Sequence, residues 1–155
     1  MISVARRIAR RFTRSERGAA LIEFALVLPL LLVLVSGIID FGRALFMLNN
    51  LTNSARAGAR FAAAKATSDV ETAAFQDSVR TFVRDYIIAM ESDAPAVTND
   101  MIGITLTPNG PQPQTIAVTI QDYPFNAITP LPALVGMDDL SMPAVTVTFR
   151  WEGAP

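Results

Sequence analysis

The sequence predicts an α+β chain. A long N-terminal helix crosses a membrane and continues into a second, amphipathic helix, and a small antiparallel β-sheet follows. Three observations predict this. Ala19 to Ile39 is an unbroken apolar run with a single charge, Glu23. Asp40 to Ala66 has no proline and repeats small side chains at helical spacing. Beyond Met101, apolar residues alternate with polar ones in three short stretches.

The apolar run comes first. Its 21 residues rise about 31 Å as a helix, the thickness of a bilayer's hydrocarbon core. The chain is 51% hydrophobic, high for a soluble protein, and the excess is concentrated here. The net charge of −1 conceals an asymmetry. Residues 1–18 carry six arginines (Arg6, Arg7, Arg10, Arg11, Arg14 and Arg17) against Glu16, a net +5, whereas residues 40–155 carry a net −5. Arginines packed before a span and not after it predict a cytoplasmic N-terminus, with the rest of the chain on the far side. The expected organisation is a basic leader at 1–18, a transmembrane helix at 19–40 and a periplasmic α+β domain at 41–155. A basic 18-residue leader could suggest nucleic acid, but Phe12 is its only aromatic and a membrane span follows it, so no nucleic-acid partner is expected.

The helical pattern continues past the span. Ser54, Gly58, Ala62 and Ala66 recur every four residues, flanked by Ala55, Ala59 and Ala63. Residues four apart share a helix face, so they form a smooth strip that another helix can approach closely. The alternative is an alanine-rich helix chosen for propensity alone. Ala19 to Ala66 then forms one helix about 72 Å long. Ser68 and Glu71 have capping-box spacing, placing the start of the second helix near Asp69. Phe75, Val79, Phe82, Val83, Tyr86, Ile87 and Met90 make its apolar stripe, and Asp77, Arg80, Arg84 and Asp85 its polar face. Pro95 is the breaker.

Strands follow. Ile102, Ile104 and Leu106 alternate, as do Ile116, Val118 and Ile120, and Val145, Val147, Phe149 and Trp151. "PNGPQP" between the first two stretches has turn chemistry. One face of the sheet is expected against the amphipathic helix. Tyr123 to Met142, with Pro124, Pro130 and Pro132, is an unusually apolar connection. Apolar loops of this length need a surface to dock on.

Catalysis lacks candidates. The chain has no histidine and no cysteine, which removes the commonest general base, the commonest metal ligand and all thiol chemistry. Lys65, the only lysine, has no serine three residues before it. Asp138 and Asp139 are adjacent carboxylates of a kind common in turns, and no metal or cofactor is expected. Asn50-Leu51-Thr52 fits a glycosylation sequon, a pattern frequent by chance. Glu23 stands apart. A carboxylate within a membrane helix costs several kcal/mol unless paired or protonated, which makes it a functional candidate. The competing reading is shallow insertion, with Glu23 reaching the headgroups.

"RGAALIEFALVLPLL" resembles the processing signal of type IV pilin-like precursors: a basic leader, a glycine, a glutamate five residues on, then an apolar helix. With Pro29 and "GIIDFGRALF…LTNSARAGARFAAA", the stretch from Arg14 to Ala64 is closely similar to the TadE-like family, minor pseudopilins of the tight-adherence (Flp) pilus machinery of bacteria. "YPFNAITPLPALVGMDDLSMPAVTVTFR" resembles the family's ending, less distinctively.

The resemblance implies a non-catalytic, single-pass inner-membrane protein whose partners are the lipid bilayer, a prepilin peptidase and other pseudopilins or pilus assembly proteins. The peptidase would cut between Gly18 and Ala19, and glycine, a weak helix residue, suits an extended scissile strand. Glu23 would become the fifth residue of the mature chain, its carboxylate paired with the new amine of Ala19 or of a neighbour. Pro29 removes the hydrogen bond to the carbonyl of Ala25, so the helix can bend there. Two alternatives accompany this reading. One is a secreted or membrane-anchored binding domain with a signal-peptide-like N-terminus cut near "VSG" at Val35 to Gly37. The other is a TadG-type cell-envelope relative, expected to carry a further large domain for which 155 residues leave no room.

Overall fold

The computed structural model of the chain describes residues 2–65, 72–91, 95–109, 112–134, 136–137 and 139–150. Helix α1 runs from Ile2 to Lys65, 64 residues and about 96 Å at the usual rise. It begins well before the expected Ala19. The leader is rich in arginine, a strong helix former, and Gly18 alone does not interrupt the helix. The helix is also unbroken across Pro29.

Helix α2 spans Ala73–Met90. Its N-cap is Thr72, whose side-chain oxygen accepts from the N–H of Phe75 at 3.3 Å, so the helix starts later than the Asp69 expected from capping-box spacing. Ser68 and Glu71 lie outside the described residues, as does Ala66. Val79, Val83 and Ile87 of the expected stripe are buried, whereas Met90, in the last turn, is exposed.

A 3-10 turn, Asn99–Met101, leads into a three-stranded antiparallel sheet in the order β1-β2-β3: β1 Ile102–Asn109, β2 Gln112–Ile120 and β3 Val145–Arg150. The register sets the alternating apolar residues directly opposite one another. Ile104 faces Val118, which faces Val147; Leu106 faces Ile116, which faces Phe149. One face of the sheet is therefore apolar. The other carries threonines, with the hydroxyls of Thr119 and Thr146 2.9 Å apart. Trp151, expected to extend β3, lies outside the described residues, as does the turn between β1 and β2.

The apolar face packs on both helices, not on the amphipathic helix alone. The membrane-distal half of α1 covers β2 and β3, and α2 covers β1. The small side chains of α1 explain this: a flat helix surface admits a helix and a sheet side by side. Met47, Leu51, Ala55, Ala59 and Ala62 of α1 join Val79, Val83 and Ile87 of α2 and Ile102, Ile116, Val118 and Ile120 of the sheet in one core. Phe61 and Phe82 stack across the helix pair at 4.3 Å between ring centroids. The guanidinium of Arg80 donates to the carbonyl of Ile102 at 3.2 Å, tying α2 to β1.

Candidate functional site

The residues singled out in the sequence fall in two parts of α1, the apolar membrane-length stretch and the buried small-residue strip, and a third region, the junction where the folded domain meets the apolar stretch, adds one more. In the first, the large apolar side chains from Leu21 to Ile39 are all exposed. The helix is long and apolar enough to cross a membrane, and none of its most apolar window is buried inside the protein. It fits a single-pass membrane anchor. Ala19 and Glu23 lie on this exposed surface, and Gly18 is half-buried in α1, with open space where a Cβ would stand. Among the described residues nothing partners Glu23.

The small-residue strip lies elsewhere. Ser54, Gly58 and Ala62 are buried, and a methyl group added to Gly58 would overlap Cγ2 of Val83. The helix that approaches this strip is α2 of the same chain. Ser54 turns its hydroxyl back onto its own helix, donating to the carbonyl of Asn50 at 2.8 Å.

The junction centres on Asp40, which directly follows the apolar run and is only 9% exposed. Its Oδ1 accepts from the backbone N–H groups of Ile128 at 3.0 Å and Thr129 at 3.4 Å, and its Oδ2 takes the hydroxyl of Thr129. A buried carboxylate is thus satisfied by the domain itself, through charge-assisted hydrogen bonds. Its donors sit in the long connection between β2 and β3, which does find a docking surface. Tyr123 is buried and donates from its hydroxyl to Glu91 Oε2 at 3.2 Å. Burial raises the pKa of the phenol, and the nearby Glu91 carboxylate raises it further. Pro124 and Ser141 form a bridge, and the N–H of Met142 donates to the carbonyl of Tyr123 at 2.7 Å, closing the base of the connection. A helical turn, α3 at Leu131–Leu134, lies against α1.

Residues 18–60 match the family model for TadE-like protein. No curated protein and no solved structure matches the chain. The TadE-like segment begins at Gly18, covers the whole apolar run and ends inside the part of α1 that lines the core. It therefore includes Glu23, Pro29, Asp40 and Gly58. The β2–β3 connection that serves Asp40 lies outside it.

Asp40 is the residue that sequence reading passed over. The usable signal was its helical phase. Asp40, Met47, Leu51, Ser54, Gly58 and Ala62 fall on one face of α1, so a carboxylate heads a buried stripe and requires donors from elsewhere. No group of three or more acidic, histidine or cysteine side chains that could hold a metal ion occurs among the described residues. Asp138 lies outside them.

Proposed function

We propose that this protein is a non-catalytic minor pseudopilin of tight-adherence (Flp) pilus biogenesis. It sits in the bacterial inner membrane with its N-terminus in the cytoplasm and residues 41–155 in the periplasm. A prepilin peptidase removes residues 1–18, and the exposed helix from Ala19 onward joins partner pseudopilins. One observation carries the reading: the TadE-like segment opens on Gly18, with Glu23 five residues later at the head of an unburied apolar helix. An unpartnered helix surface of this kind is suited to lipid and to other helices like itself. The arginine-rich leader supports the orientation.

Cleavage after Gly18 requires a few residues of α1 to unwind. Glycine in a helix is about 1 kcal/mol less favourable than alanine, so it eases that opening. The mature N-terminus, read by mass spectrometry from cells with an active prepilin peptidase, tests the proposal. Ala19 is expected, and Gly18→Ile should abolish it. An intact Met1 would refute processing, and Ile38 would favour a secreted domain released from a signal peptide. Protease added to spheroplasts should digest residues 41–155, and protection there would reverse the orientation.

A further inference from the structure

We propose that the connection between β2 and β3 is a second membrane contact, lying in the headgroup layer beside the anchor helix and setting the tilt of the folded domain. The inference rests on reading Ala19–Ile39 as a membrane span and concerns a surface that this reading does not use.

Asp40 fixes the height. It is the residue after the apolar run, and its carboxylate holds the backbone of Ile128 and Thr129. That part of the connection is therefore level with the end of the span. The chain then turns through Leu131–Leu134 against α1 and back, the N–H of Met137 donating to the carbonyl of Pro132 at 2.8 Å. Three large apolar side chains point outward from this short stretch: Ile128 is 64% exposed, Leu134 76% and Met137 56%. On the first turns of α1 beyond Asp40, Phe41 and Phe46 are also more than half exposed. Phe46 stands only about 9 Å beyond Asp40 along the helix, within the reach of the headgroup region. Apolar side chains grouped at that depth are buried when they enter the boundary between headgroups and acyl chains.

Continuity with the span decides the occupant. A surface that begins where the lipid-facing helix leaves the hydrocarbon meets lipid before it meets any other partner. Residues 121–144 contain no lysine or arginine, only Asp122, Asp138 and Asp139. The contact is therefore hydrophobic and does not depend on anionic lipid.

The absence of cysteine makes the test direct. Ile128→Cys and Leu134→Cys would be introduced one at a time into the full chain, spin-labelled and placed in phosphatidylcholine nanodiscs. Leu30→Cys serves as the reference within the span and Thr146→Cys as the reference on the outer face of the sheet. Collision with oxygen and with a water-soluble nickel chelate is then measured. Labels at 128 and 134 should meet oxygen readily and exclude nickel, at a depth shallower than label 30. Nickel access equal to that of label 146 would overturn the inference while leaving the span intact. Exclusion of both reagents would also overturn it, because a protein partner then covers the surface. Nickel access at label 30 would instead remove the membrane reading on which the inference stands.

Discussion

Asp40 receives hydrogen bonds from both the backbone N–H and the hydroxyl of Thr129, 89 positions further along the chain. This contact joins the end of the apolar run to the tip of the β2–β3 connection. It fixes where the folded domain begins relative to the anchor. Removing the acceptor leaves two backbone donors and a hydroxyl to find other partners.

Asp40→Ala should therefore release the connection without unfolding the core, which is assembled mainly from other residues. Amide exchange at Ile128 and Thr129 is expected to accelerate several-fold, with exchange in β2 unchanged. Asp40→Asn keeps an acceptor oxygen and should fall between the two. Hydrogen exchange of the full chain in nanodiscs, read by mass spectrometry, checks all three states.

Gly58 of α1 faces Val83 of α2, with no room between them for a methyl group. Gly58→Leu should lower the stability of the domain by about 1–3 kcal/mol, the usual cost of overpacking a filled core. Gly58→Ala gains about 1 kcal/mol of helix propensity, which partly offsets its own clash. Combining it with Val83→Ala should recover part of what each single change loses. Denaturation midpoints of the four chains in one detergent form the cycle that measures this coupling.

Tyr123 makes stability depend on pH at the alkaline end. Its phenol is held neutral in the folded state, first by burial and then by the Glu91 carboxylate. Its folded pKa is raised, so this contribution is fully present below about pH 10, where an unfolded tyrosine ionises. It is lost as pH rises above that value, because the unfolded chain then releases a proton that the folded chain retains. Tyr123→Phe should flatten the fall in melting temperature between neutral pH and pH 11. At neutral pH it should cost about 1 kcal/mol for the lost hydrogen bond.

Glu23 separates assembly from insertion. A charged residue at the centre of a membrane helix costs about 2.5–3.5 kcal/mol, and somewhat less at a shallower depth. Glu23→Ala should therefore insert at least as well as the parent chain. On the proposed processing after Gly18, it should also still be cut, yet fail to join partner pseudopilins. Co-purification with pilus partners and a surface-attachment assay measure the two effects. Normal association with normal attachment would leave the carboxylate without an assembly role.

The sequence alone determined the features that depend on local pattern. The apolar run from Ala19 to Ile39 needs no tertiary context, since its length and near absence of charge are read directly and match the thickness of a bilayer core. The alternation in Ile102–Leu106, Ile116–Ile120 and Val145–Phe149 was enough for three strands sharing one apolar face. Val79, Val83 and Ile87 were legible as the buried stripe of an amphipathic helix. Tertiary structure decided what covers each face. The strip from Ser54 to Ala62 advertised a close approach, and only the fold shows that α2 and Val83 make it. Asp40 drew no notice in the sequence, and only the fold sets the backbone of Ile128 and Thr129 beside it. Periodicity reports which side of an element is apolar or polar, whereas the partner that satisfies it lies at a sequence separation no local signal spans.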